Sequence, residues 1–123
     1  MLNLSEQQIA AILDALPLEM AFVDENDRVQ YRNKVGRRMV PIGDEVIGRD
    51  LRACHKDESL SKVEKILSDF RDGKAEEAWF WVSAEKPRIL NRFIAIRDES
   101  GKYLGTLEYL LNFDAIETVA EGK

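Results

Sequence analysis

The sequence predicts an α+β fold, with one five-stranded antiparallel sheet, helices packed on one of its faces and an amphipathic helix ahead of it. Two observations carry this. Strand-like runs stand at both ends of the chain while helical periodicity occupies its middle, and no strand–helix–strand alternation suggests a doubly wound parallel sheet. The last two runs are joined by Asp98-Glu99-Ser100-Gly101, a hairpin turn.

The first element is a helix with complete start signals. Ser5 caps it, Gln8 stands three residues on as in a capping box, and Leu4 and Ile9 hold the staple positions. Ile9, Ile12, Leu13 and Leu16 then form one apolar stripe, and Pro17 ends the helix. Met20–Val23 and Val29–Tyr31 read as two strands around the polar turn Asp24-Glu25-Asn26-Asp27, and Asn33 starts a turn after them. Residues 35–57 read as irregular with short helical turns, since Pro41, Gly43 and Gly48 interrupt any long element. A second helix begins near Asp57 or Ser59, burying Leu60, Val63, Ile66, Leu67 and Phe70 and ending at Gly73, a left-handed cap. Ala78–Val82, Ile89–Ile96 and Tyr103–Phe113 complete the strands. In the last, odd positions Tyr103, Leu107, Tyr109, Leu111 and Phe113 are apolar, while the even set mixes Thr106, Glu108 and Asn112 with Leu104 and Leu110. The organisation is thus a helix over 1–17, a domain over 18–114 and a polar tail over 115–123.

Composition bounds the function. The 123 residues suit one domain, and 45% hydrophobic with 33% charged residues is ordinary globular chemistry. A net charge of −5 argues against a nucleic-acid partner, which needs a basic stripe. One cysteine, Cys54, suits a reducing compartment, and neither a signal peptide nor a membrane span is evident, so a cytoplasmic location without membrane partners is expected. Ser5, Ser59, Ser61 and Ser83 lack the setting of a nucleophile, and the glycines form no phosphate-binding loop, so no catalysis is expected.

The sharpest local feature is Cys54-His55, which holds the one histidine. Both side chains ligate metals, against the plainer reading of a loop histidine beside a small buried cysteine. A redox role for Cys54 requires exposure and a depressed pKa, which Arg52 and Lys56 nearby would favour. Trp79 and Trp81 share one face of their strand and Phe80 takes the other; with Phe93 they are candidates to line a ligand pocket, or simply to pack the sheet. Arg88, Arg92 and Arg97 suit an anionic ligand or, more simply, pairing with Glu76, Glu77 or Glu108.

Ala21-Phe22-Val23-Asp24 with Val29-Gln30-Tyr31-Arg32-Asn33, then Val46-Ile47-Gly48-Arg49-Asp50-Leu51, then Ala95-Ile96-Arg97-Asp98 with Gly101-Lys102-Tyr103-Leu104-Gly105, resemble in order and spacing the opening hairpin, middle segment and closing hairpin of the PAS fold. More narrowly, Cys54-His55, Val63-Glu64-Lys65-Ile66-Leu67 and Gly101–Glu108 resemble the PAS-like domain of the DUF438 proteins, some of which also carry a hemerythrin-like domain. The likeness covers roughly residues 10 to 113. It departs where that family follows its Cys-His with a proline pair and a lysine, because here Lys56-Asp57-Glu58 follows. The resemblance implies a sensory, signal-transducing module that binds a small ligand in its core and relays its state through homodimer contacts, with Ile9, Ile12, Leu13 and Leu16 at the dimer interface, against the alternative that this stripe covers its own sheet. It equally admits a ligand-free dimerisation or docking module. It also implies a further alternative, a heme- or thiol-based redox sensor with His55 as axial ligand, since some PAS sensors take that ligand from the middle of the domain.

Overall fold

The computed structural model describes residues 2–35, 39, 43–55 and 57–122; Pro41 and Lys56 lie outside them. Ser5 begins the first helix, α1 (Glu6–Ala15), as its spacing predicts. Its hydroxyl accepts from the Gln8 N–H at 3.0 Å, and the Gln8 side chain accepts from the Ser5 N–H at 2.9 Å. That reciprocal pair satisfies two donors that have no partner inside the helix. Leu16 is extended, as a residue before proline prefers to be, and the helix stops there.

Strands β1 (Glu19–Asp24) and β2 (Val29–Arg32) form the opening hairpin. Two 3-10 turns follow, Asp44–Val46 and Leu51–Cys54, then α2 (Asp57–Arg71), β3 (Glu77–Ser83), β4 (Ile89–Arg97), β5 (Tyr103–Asn112) and α3 (Phe113–Ala120). All pairings are antiparallel, in the order β2-β1-β5-β4-β3, so the first and last strands lie side by side in the middle of the sheet. This is the expected α+β architecture. One element differs from expectation. The polar tail is helical over Phe113–Ala120, because Asn112 ends the strand and its side chain caps the new helix, accepting from the Ala115 N–H at 3.0 Å.

Helix α2 ends as its glycine predicts. Gly73 takes a φ of 73°, its N–H reaches the Phe70 carbonyl, and the Lys74 N–H reaches back to Asp69. The buried side of α2, Val63, Ile66, Leu67 and Phe70, meets Val23, Val29, Phe93 and Ala95 of the sheet, with Val46 and Leu51 of the middle segment completing the core. Two ionic ties fix this layer. Buried Asp27, in the first hairpin's turn, accepts from Arg71 of α2 at 2.6 Å and from Arg52 of the second 3-10 turn at 3.2 Å.

Strand register sorts every side chain to a face. Phe93 and Ala95 belong to the core, and their cross-strand partners Glu108 and Thr106 therefore share that inner face, as do Leu110 opposite Asn91 and Val23 opposite Thr106. The apolar odd positions Leu107, Tyr109 and Leu111 pair with Ile94, Arg92 and Leu90 on the outer face. The polar side of the last strand thus turns towards the helices, and its apolar side turns away from them.

Candidate functional site

A polar strand face under helices is costly unless its groups find partners. Here they border a cavity of about 770 Å³ between the inner sheet face and the helical middle of the chain. That volume lies within the range of small-molecule sites. Val29, Val46, Leu51, Phe80 and Leu110 give it an apolar wall.

Asn91, Glu108 and His55 make its polar corner. Asn91 is only 2% exposed; its Nδ2 donates to Glu108 Oε1 at 3.1 Å, and its Oδ1 is buried without a hydrogen-bond partner. His55 Nε2 is also buried without one, and it stands 3.4 Å from the same Glu108 oxygen. Arg32 and Glu19 are held at the cavity by the chain. Arg32 donates to the Gly43 carbonyl at 2.7 Å, and Glu19 accepts from the Met39 N–H at 2.9 Å. Lys62 reaches over the Phe80 ring, 5.3 Å from its centre.

This geometry sorts the residues singled out in the sequence. Cys54 and His55 line the cavity, while Trp81 borders it from β3 with its ring on the outer face, against Trp79 and Phe113. Trp79 and Phe93 do not line it. Trp79 pairs with Arg92 on the outer face and is 60% exposed, whereas Phe93 is fully buried in the core beneath His55 and Phe80. The arginines pair with acids, but not all with those expected. Arg92 meets Glu77 at 3.0 Å and Arg97 meets Glu76 at 3.1 Å, while Arg88 binds Asp114 and Glu117 of α3 and Glu108 faces inward. Sequence reading missed Asn91 as a site residue and placed Glu108 elsewhere. The signal was present in β4, where Ile89, Asn91, Phe93 and Ala95 share a face and Asn91 is its one polar member.

Thiol chemistry has little support at this site. Burial first, and then the Glu108 charge, push the Cys54 thiol above its ordinary value. Arg52 is engaged with Asp50, Asp27 and Glu64. A protonated thiol is neither a nucleophile nor a metal ligand. A heme iron fits no better. On His55 Nε2 it would meet the Glu108 carboxylate beside that nitrogen. For a bare metal ion, no group of three or more His, Cys, Asp or Glu side chains is placed to hold one among the described residues.

The strand order and the helical roof are matched by known proteins. A family model described as PAS domain matches residues 9–114. The chain belongs to the PAS domain family. A crystal structure of a C-terminal domain from Streptococcus mutans is 28% identical, with a TM-score of 0.82 over 97% of this chain and 94% of that one. The PAS domain of Bordetella pertussis BvgS is 10% identical, with a TM-score of 0.66 over 94% and 93% of the two chains. The photoactive yellow protein domain of the sensor histidine kinase Ppr from Rhodospirillum centenum is 19% identical, with a TM-score of 0.62 over 83% and 91%. No curated protein matches the chain in sequence.

The terminal helices of this PAS domain flank the sheet. The apolar stripe of α1 is divided: Ile9 and Leu13 are half-buried, while Ile12 and Leu16 are exposed. Asn33 fastens its end, donating to the Leu13 and Leu18 carbonyls at 3.0 and 2.8 Å and accepting from the Met20 N–H at 2.8 Å. At the other end of the chain, Phe113 of α3 meets the edge of Trp81, which in turn meets Trp79. Among the described residues, no helix is long and apolar enough to cross a membrane.

Proposed function

We propose that this PAS domain is a non-catalytic cytoplasmic sensory module of the DUF438 type. It binds a small molecule between the inner sheet face and the helical middle, and it relays the bound state through α1 and α3 in a homodimer. The observation that carries this reading is the cavity of about 770 Å³ with two buried polar atoms, Asn91 Oδ1 and His55 Nε2, left without hydrogen-bond partners. Buried polar groups are nearly always satisfied, so a ligand that completes them gains affinity the empty site lacks. Solved neighbours that are domains of sensor histidine kinases support the sensory role. A ligand would favour one packing of Leu51–Cys54 and α2 against the sheet, to the extent that it binds that packing more tightly. Neither a nucleic acid nor a membrane enters this reading.

One observation favours a second reading, a ligand-free docking or dimerisation module. Trp79 and Trp81 stand exposed together on the outer face, beside Val82. Native mass spectrometry of the full chain separates the two. A retained small-molecule mass on a dimer supports the sensor, and a dimer of bare chains supports the docking module. Adding hemin tests the remaining alternative, for which a Soret shift lost in His55→Ala would contradict the site described above.

A further inference from the structure

The polar corner of the cavity has a chemical sense. We infer that it selects a ligand presenting adjacent N–H donors, such as an amidine or an amino-substituted nitrogen heterocycle, and rejects one whose polar edge is a carboxylate. This rests on the sensory reading of the same cavity.

The orientation of Asn91 decides it. Its Nδ2 donates to Glu108 Oε1 at 3.1 Å, so the amide is held with its oxygen free. The opposite orientation would set a carbonyl oxygen against a carboxylate. The pair therefore offers acceptors side by side: Asn91 Oδ1, and a Glu108 carboxylate whose one hydrogen-bond donor among the described residues is Asn91. His55 Nε2 flanks the same oxygen at 3.4 Å. A carboxylate with a neighbouring acceptor takes a planar fork of N–H groups, the geometry that makes such pairs short and strong. An acceptor-only ligand there would leave these groups unpaired beside like charge. The cations at the cavity do not reverse this. Arg32 is committed to the Gly43 carbonyl and lies 3.5 Å from Asp44, and Lys62 lies over Phe80. Phe80, Leu51 and Leu110 supply an apolar wall for a flat ring.

Three probes of nearly equal shape test this: benzamidine, benzamide and benzoate, titrated into the full chain and followed by calorimetry and by the Asn91 side-chain amide signals in NMR spectra. Benzamidine is expected to bind most tightly, roughly tenfold or more above benzoate, the factor one charge-assisted hydrogen bond provides. Its binding is expected to shift the Asn91 signals. Glu108→Gln is expected to reduce the preference towards unity, and Asn91→Ala to weaken benzamidine with little effect on benzoate, provided each variant keeps the wild-type circular dichroism. The two variants are independent, so one that fails to fold leaves the other to decide. Benzoate binding in the cavity as tightly as benzamidine, or a preference unchanged in whichever variant folds, overturns the donor selectivity and leaves the cavity reading standing. Binding of none of the three at millimolar concentration overturns both.

Discussion

Asn33 shows how much one polar residue can hold. Its spacing after the second strand suggests a local turn, yet the side chain is fully buried and joins three separate backbone groups at the junction of α1 and β1. Partners at residues 13, 18 and 20 meet it only once the hairpin has formed, so no local pattern announces the role. Asn33→Ala leaves a donor and two acceptors unpaired in a buried junction and is expected to cost roughly 2–4 kcal/mol in urea unfolding. Gly105 carries a different constraint. At a φ of 150° an added Cβ would stand 2.2 Å from the Val23 carbonyl oxygen and 2.7 Å from the Phe22 ring. That contact lies between the two central strands, so Gly105→Ala must part them, with an expected loss of about 2–4 kcal/mol by the same measurement. Asn91 and Glu108 were legible only in part. Alternation puts each on a face, but which face the helices cover is settled by tertiary packing. The apolar odd positions of β5 suggested the opposite side.

Elements with strong local signals follow their sequence closely. The capping box at Ser5, the glycine cap at Gly73 and the turn at Asp98–Gly101 each depend on residues within a few positions, and each forms as predicted. The tail is where local reading stops short. Its eight helical residues are too few to be stable alone, and α3 is held by Arg88, which grips Asp114 and Glu117 from the residue just before β4. At the opposite terminus, Asp14 of α1 accepts from the Lys34 N–H at 2.8 Å and the Tyr31 hydroxyl at 2.9 Å. Those bonds, the Lys34 N–H first and Tyr31 next, hold its carboxyl below the ordinary value. The folded value is thus lower than the unfolded one. The docking contribution is complete above the unfolded pKa, about 4 for an aspartate, and is lost as pH falls through the folded value. The amide signals of α1 are accordingly expected to move towards those of an undocked helix below about pH 4. In Asp14→Asn this pH dependence should disappear; its persistence would show that another group controls the docking.

At the scale of the molecule, the sheet separates two surfaces with different chemistry. Its inner face supports a core and a partly polar cavity, and its outer face carries apolar side chains that continue into helices with exposed stripes. Ile12 and Leu16 on α1, and Ile116 and Val119 on α3, are exposed apolar residues at the two ends of the chain. If the chain forms the proposed homodimer through α1, deleting residues 1–16 is expected to yield a monomer in light scattering; an unchanged oligomeric state would contradict a dimer contact through α1. The overall order of elements was legible because amphipathic periods and turn residues are local. The cavity was not, since it depends on how far the segment from Gly43 to His55 stands from the sheet, a distance no periodicity encodes.

Whether that cavity holds a ligand is best tested by native mass spectrometry of the wild-type chain beside Ala21→Phe. Ala21 borders the cavity and lies opposite Glu108 and Arg32 on the inner face, so a phenyl ring there projects into the cavity and obstructs its polar corner. A ligand held in the cavity is expected to give a small-molecule mass on the wild-type chain that is lost from a folded variant. An identical mass on both, or bare chains in both, would contradict it.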